Sequence, residues 1–428
     1  LGSAYQAMKK EIDYFREVHK ESRLWEAWKK VYQNGSQSRS QETRLEIREF
    51  QKRELTSIRT ISKQLRECRY KFKPARGIPV RRKGKTSRPI VVHQIQDRIV
   101  LRSILDVLQG NSSILEILKT KTSFGGIEGQ SVRKAVEAAH WAITHGCKYY
   151  IRTDIEGFFT RIPRQKVIDQ IVNRIPDIKF IGLLERAVIT ELENLASLGK
   201  ESNLFPIFEI GVAQGCCLSP LIGNILLREF DAEMNRRGIV CLRYIDDFLI
   251  LGRKPSNVKR AFTVALKLLE GHGMVAYDPW ARYDKAEFGE TAKGIQFLGC
   301  NISPDRIRPS WKSWRRLLEK LQGLADDSLK MMTNPNRAYF EHKSLASTLY
   351  EMDNIIKGWG NQYAYCNDLR LMNNLDDQIS EIIRKYIRRY GVMRARLKKK
   401  SDFRENLRRI LGIHLLTDSK SDPIIISQ

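Results

Sequence analysis

Arg243-Tyr244-Ile245-Asp246-Asp247-Phe248-Leu249-Ile250-Leu251 is the stretch on which the fold turns. The apolar run from Val240 to Leu251 reads as strand, interrupted only by Arg243 and by the carboxylates Asp246-Asp247, which suit a hairpin tip. Neighbouring carboxylates repel, and partial burial adds a desolvation cost, so the pair contributes no stability of its own. A divalent cation removes that penalty. Mg²⁺ takes oxygen ligands, usually one or two carboxylates completed by phosphates and water. Taken alone, Asp-Asp is common and mostly marks an ordinary exposed turn.

A second carboxylate stands at the end of another strand-like stretch, Tyr149 to Ile155. Asp154 closes it and is followed by Glu156-Gly157-Phe158-Phe159. Asp154 reads either as a helix N-cap or as a partner that joins Asp246 across neighbouring strands to hold a pair of metal ions. Such a pair suits in-line phosphoryl displacement, the chemistry of polymerases and nucleases.

From Cys68 to Gln96 there is no acidic residue but nine basic ones, with Gly77, Pro79, Gly84 and Pro89 as punctuation. This predicts a β-hairpin turning at Lys83-Gly84-Lys85 and carrying a polyphosphate or backbone site. The whole chain agrees in sign: 428 residues carry 75 Lys+Arg against 49 Asp+Glu, a net charge of +26, which points to nucleic acid as partner. An apolar content of 42% supports a folded chain, and the length allows about three domains of ~150 residues. No apolar run has the ~18 residues of a membrane span, and no secretory signal is legible. Seven cysteines without a C-x-x-C pair argue against a zinc ribbon or a disulfide framework and for a reducing compartment. Leu1-Gly2-Ser3 reads as a vector-derived scar.

Around this centre the periodicity sets the organisation. Residues 4 to 70 have helical spacing divided by a polar break at Asn34-Gly35-Ser36-Gln37-Ser38; 148 to 300 alternates strands with helices such as Val167 to Ile175; beyond 310 the pattern is helical through Tyr390. Between Arg384 and Arg409 lie twelve basic residues against two acidic ones, which fits a solvated helix face or a nucleic-acid surface. The fold class predicted is mixed α/β (α+β).

The ordered motifs resemble those of reverse transcriptases. Tyr244-Ile245-Asp246-Asp247 is similar to the Y-x-D-D box, Asp154 with Phe158-Phe159 to motif A, and Gln214-Gly215-Cys216-Cys217-Leu218-Ser219-Pro220-Leu221-Ile222-Gly223-Asn224 to motif B. Lys285 resembles the motif D lysine and Phe297-Leu298-Gly299 the F-L-G of motif E. Ile78 to Ile90 looks like the fingers hairpin, Ser123-Phe124-Gly125-Gly126 like the following S-[YF]-G block, and Gly358-Trp359 with Tyr363 like a thumb segment of the bacterial group II intron-like branch.

That resemblance implies a right-hand polymerase fold: a helical N-terminal extension (1–70), fingers (71–147), a ferredoxin-like palm (148–300) with a fingers insertion at about 166–208, a helical thumb (301–400) and a C-terminal tail (401–428). It implies two Mg²⁺ ions, with Mn²⁺ as substitute, held by Asp154, Asp246 and the Ile155 carbonyl, with Asp247 as a supporting or second carboxylate. Arg82, Lys83 and Arg88 would hold the incoming triphosphate, Phe159 would act as the gate against a ribose 2′-OH, and Gln214 and Gly215 would line the nucleotide pocket. Lys285 would give a proton to pyrophosphate. Ser219, Pro220, Tyr244, Phe297, Leu298 and Gly299 would meet nucleic acid, with Arg394, Arg396, Lys398, Lys399 and Lys400 on a basic surface.

Within the family, Ser219-Pro220 departs from diversity-generating enzymes, and the retron blocks are absent. The chain resembles most the stand-alone, defence-associated enzymes of bacteria, which copy a structured noncoding RNA into cDNA from dNTPs in the cytoplasm. No endonuclease or RNase H segment is expected, and nothing points to a membrane or a protein partner. Two other readings stay open: a group II intron maturase that binds and helps splice intron RNA, and an untemplated, protein-primed polymerase of the abortive-infection kind.

Overall fold

The computed structural model describes residues 12–38, 40–82, 85–206, 209–236, 239–397, 402–415 and 418; the side chains of Arg82 and Lys85 are also outside the description. The fold is mixed helix and sheet. The chain divides into two compact units, Leu1–Glu290 and Thr291–Gln428.

The first unit opens with four helices, α1 (Tyr14–His19), α2 (Glu21–Ser36), α3 (Gln41–Gln51) and α4 (Glu54–Arg66). The expected break at 34–38 is only partly a break, because α2 continues through Asn34-Gly35-Ser36. Gly35 is there for close packing: a Cβ on it would stand 2.6 Å from the Ile47 side chain of α3. The apolar faces of these helices, with Leu24, Trp28, Ile47, Ile58 and Ile61 buried, join the main core of the unit.

β1 (Arg76–Arg82) and β2 (Lys85–Val92) form the antiparallel hairpin expected from the basic segment. Its turn at Lys83-Gly84 lies outside the described residues. α5 (Ile95–Gln109), α6 (Ser112–Leu118) and α7 (Val132–Thr144) lead to β3 (Tyr149–Asp154). After β3 come α8 (Arg164–Val172), α9 (Ile178–Val188), α10 (Ser219–Leu226) and α11 (Arg228–Met234), then β4 (Val240–Tyr244), β5 (Asp247–Gly252), α12 (Pro255–Glu270) and β6 (Glu287–Glu290).

The four strands β3 to β6 make one antiparallel sheet in the order β4-β5-β3-β6. A helical connection before β4 and α12 after β5 give this sheet the ferredoxin-like β-α-β-β-α-β arrangement. The central strands are buried on both faces: Phe248, Leu249, Ile250 and Leu251 of β5 are fully buried, which explains their continuous rather than alternating apolar run.

In the second unit, β7 (Ile295–Phe297), β8 (Cys300–Ile302) and β9 (Ile307–Pro309) form a three-stranded sheet of their own. β7 and β8 fall within the range expected for the palm, yet their backbone pairs with β9 and not with the four-stranded sheet. Five helices follow: α13 (Trp311–Met331), α14 (Pro335–Phe340), α15 (Leu345–Tyr363), α16 (Leu369–Leu397) and α17 (Phe403–Leu411). They share a second core around Leu317, Leu321, Met352, Tyr386 and Ile410. The expected C-terminal tail thus contains a helix, fixed by Arg409, whose guanidinium lies 4.9 Å from the Tyr339 ring and is hydrogen-bonded to Asp418 at 2.6 Å.

Candidate active site

β4 and β5 are joined by the shortest of hairpin loops. Tyr244 pairs with Asp247, so only Ile245 and Asp246 make the turn. Two-residue hairpins require left-handed backbone at the first central position, normally supplied by Gly. Here a β-branched residue takes it, Ile245 at φ +61°, a strained conformation that the surroundings must hold. The turn places Asp246 at the tip, and Asp247 begins β5.

β3 is the other neighbour of β5, in a register that sets Asp154 directly opposite Asp247. Residues opposite one another in an antiparallel pair share a face. Beyond Asp154 the chain stays tied to the hairpin, with the Ile155 amide donating to the Asp246 carbonyl at 3.1 Å. On its other side Ile155 bridges Ala276, flanked by the hydrogen bonds from Tyr277 N to Asp154 O and from Glu156 N to Val275 O. In that ladder the N–H and C=O of Ile155 face away from Ala276, toward the Asp246 turn.

Three carboxylates therefore meet at one end of the central strands, and their electrostatics show the conflict. Burial, reinforced by Asp246 and Asp247, pushes Asp154 up to about 7, and burial with Asp246 pushes Asp247 to about 6. Burial also raises Asp246. The Asp246 carboxyl acts directly on that of Asp154, whose Oδ1 is buried without a hydrogen-bond partner. The nearby cations do not cancel this: Arg88 acts on Asp246, Arg152 on Asp247 and Lys285 on Asp154, each lowering its carboxyl by less than burial raises it.

An orphaned buried oxygen beside mutually repelling carboxylates fits a cation. Among the described residues no group of three or more His, Cys, Asp or Glu side chains is placed to hold a metal ion by itself. The set instead suits Mg²⁺, which takes one or two carboxylates and fills its shell with phosphate and water. Bound there, the ions would stabilise charge on the attacking and leaving oxygens of a phosphoryl transfer.

The remaining residues surround this centre unequally. The Lys285 ammonium lies 4.8 Å from the Tyr277 ring centre, and Tyr277 in turn holds the Asp154 carbonyl through its amide at 3.1 Å. Gly157 at φ +58° turns the chain into Phe158-Phe159. Phe158 is the core member, buried so close to α10 that a Cβ on Gly223 would meet its ring at 2.6 Å. Phe159 is half-buried.

Gln214 accepts from the Val91 amide at 2.8 Å, which joins the motif B turn to β2. Gly215, at φ +112°, passes so near that a Cβ would sit 2.9 Å from the Val91 carbonyl. Arg88 is exposed on β2, while the Arg82 and Lys83 side chains are outside the described residues. Tyr244 and Pro220 are half-buried. Ser219 is buried, with its hydroxyl donating to the Ala213 carbonyl at 2.7 Å, so it shapes the turn from inside.

Phe297, Leu298, Gly299, Arg394 and Arg396 belong to the second unit. Phe297 is buried, Leu298 and Gly299 both have positive φ, and Arg394 and Arg396 are exposed on α16. Lys398, Lys399 and Lys400 lie outside the described residues.

Sequence reasoning missed the cleft beside motif B, about 630 Å³ and lined by Arg23, Lys30, Arg102, Asp106, Glu128 and Pro220. Its basic residues come from α2 and α5, whose charge spacing alone looked like solvated helix faces. Tyr277 was also missed, since a lone Tyr in a loop carries no signal.

The model of the family "Reverse transcriptase (RNA-dependent DNA polymerase)" matches residues 80–302, more than half of the chain. This chain belongs to the reverse transcriptase family. The match runs from β1 to β8 and contains all three carboxylates.

The chain is 28% identical over 174 residues to the "Uncharacterized 91 kDa protein in cob intron" of Schizosaccharomyces pombe, covering 41% of this chain and 20% of that protein. It is 26% identical over 193 residues to "Protein YkfC" of Escherichia coli, covering 44% and 48%. It therefore spans half or less of the length of these relatives. Among solved structures, apo telomerase from Candida tropicalis, truncated from its C-terminal domain, aligns over 55% of this chain and 54% of its own, with a TM-score of 0.40 and 13% identity. No helix among the described residues is long and apolar enough to cross a membrane.

Proposed function

We propose that the chain is an RNA-directed DNA polymerase that copies an associated structured noncoding RNA into cDNA from dNTPs, in bacterial antiphage defence. The observation that carries the polymerase reading is the meeting of Asp154, Asp246 and Asp247 where β3 ends beside the start of β5, with Asp154 Oδ1 buried and unpartnered. Membership of the reverse transcriptase family supports it. The defence role rests on the sequence resemblance alone.

In this reading Asp154, Asp246 and the Ile155 carbonyl hold two Mg²⁺ ions, which Mn²⁺ can replace, and Asp247 supports them. Arg88, with Arg82 and Lys83, binds the triphosphate through charge-assisted hydrogen bonds. Gln214 and Gly215 line the nucleotide pocket, and half-buried Phe159 rejects the ribose 2′-OH. Lys285, poised on the Tyr277 ring, donates the proton that leaving pyrophosphate needs. Tyr244, Pro220 and Leu298-Gly299 position primer and template, while buried Ser219 and Phe297 act through the turns they adjoin.

A second reading, an intron maturase, is favoured by the relative in Schizosaccharomyces pombe named for its cob intron. Sequencing the RNA and DNA that copurify with the wild type and with Asp246→Asn separates the two. The polymerase reading expects cDNA of one defined RNA in the wild type alone. Intron RNA on both proteins, with DNA on neither, would replace it with the maturase.

A further inference from the structure

Arg243 is the largest fully buried side chain among the described residues, and it stands directly before the Tyr244-Ile245-Asp246-Asp247 turn. A charge so placed needs partners, and it has them on three elements. Its Nε and Nη2 donate to the two carboxylate oxygens of Asp231 on α11 at 2.7 and 2.6 Å, and Asp231 is itself buried. Its Nη1 donates to Asn224 Oδ1 on α10 at 3.0 Å and to the carbonyl of Ile245 at 2.9 Å.

Asn224 extends the network, donating from Nδ2 to the Gly125 carbonyl at 2.8 Å. Gly125 lies against the turn so closely that a Cβ on it would stand 2.8 Å from the Ile245 amide nitrogen. The backbone of Arg243 is fixed as well: its amide donates to the Thr122 carbonyl at 2.7 Å, and its carbonyl accepts from Phe124 N at 2.9 Å.

Stability does not explain this arrangement, because a buried ion pair can usually be replaced by apolar residues at no loss. What apolar residues could not do is grip the carbonyl of Ile245, the one residue of the turn held at positive φ. We propose that Arg243 is a positioning residue: clamped by Asp231 and Asn224, its guanidinium holds the Ile245 peptide in its left-handed conformation and so fixes where Asp246 presents its carboxylate. Asp231 orients the guanidinium, and Asn224 couples motif B and the Gly125 block to the same turn. This inference rests on the polymerase reading, and misplacing a reacting group by about 1 Å can cost about 100-fold in rate.

The test uses the full chain with two replacements, Arg243→Lys and the charge-free pair Arg243→Met with Asp231→Leu. Lysine keeps the charge but cannot serve Asp231, Asn224 and the Ile245 carbonyl together. The double replacement leaves no buried charge unpaired, so it remains foldable where a single deletion would not be. Thermal melting, primer–template affinity, dNTP KM, kcat and the Mg²⁺ concentration that half-stabilises the protein against heat are measured for each.

The expected result is a kcat at least about 30-fold lower in both, with dNTP KM and primer–template affinity within about threefold of wild type and the Mg²⁺ midpoint raised about tenfold. A variant that melts like the wild type yet keeps its kcat and its Mg²⁺ midpoint overturns the proposal. Asp246→Asn is assayed beside them: if it still extends primers, the polymerase reading has failed, whereas an inactive Asp246→Asn beside fully active Arg243 variants removes only the clamp.

Discussion

The carboxylate cluster sets burial against charge, and its pH dependence follows from that conflict. Asp154 is held near 7, Asp247 near 6, and Asp246 is also raised, against ordinary carboxyl values near 4. Between about pH 4 and 7 the metal-free native state therefore binds more protons than the unfolded chain, and its stability falls as pH rises through that window. A bound divalent cation reverses this, since it favours the ionised forms. The expected outcome is that Mg²⁺ raises the melting temperature by about 2–4 °C more at pH 8 than at pH 5, and that Asp154→Asn loses the difference. Equal increments at both pH values in differential scanning fluorimetry would count against the cluster as the cation site.

Phe159 gives a second prediction at the residue scale. Phe158 fills the core against Gly223, whereas Phe159 is half-buried and, in the proposed function, faces the nucleotide. Phe159→Ala is expected to let ribonucleotides into the product at least about tenfold more often, with little change in melting temperature; an unchanged dNTP:rNTP ratio would make Phe159 a packing residue. The carboxylates and both aromatics could be read from sequence because they stand in short local patterns. Asp231 could not be paired with Arg243 in advance, nor Tyr277 with Asp154, because each pairing exists only after strands and helices dock.

At the scale of elements, strand and helix patterns were legible wherever one period ran long enough. The hairpin at 240–252, β3, α13 and α16 all stand where their apolar spacing put them. The reading weakened at Gly35, taken from its polar neighbours as part of a break. Its role is set by Ile47, which no local window reveals. Gly35→Ala should destabilise the first unit by about 1–3 kcal/mol through overpacking. Gly360→Ala, on the exposed face of α15 with nothing within 4 Å of its Cβ, should stabilise by about 0.5–1 kcal/mol. Urea unfolding of both variants checks the pair, and equal signs would show that helix propensity, not the packing of α2 on α3, governs Gly35.

At the scale of the molecule, a net charge of +26 implies a partner held largely through phosphates, with affinity that falls steeply with salt. Replacing Arg394 and Arg396, both exposed on α16, with Gln should reduce the log–log salt slope of RNA binding by about one unit for each phosphate no longer neutralised. An unchanged slope would leave that face as ordinary solvated helix. Charge sign and motif order could be read from sequence because both survive in one dimension. The cleft walled by α2 and α5 could not, because it forms only when distant helices pack beside motif B.

The central claim is that the Asp154–Asp246 carboxylate site performs RNA-templated DNA synthesis. Extension of a DNA primer annealed to an RNA template, with dNTPs and Mg²⁺, tests it most directly when wild type, Asp154→Asn and Asp246→Asn are compared at equal bound RNA. The account predicts extension by the wild type, a loss of at least about 1,000-fold in both variants and unchanged RNA affinity. Extension by either variant at the wild-type rate would contradict it.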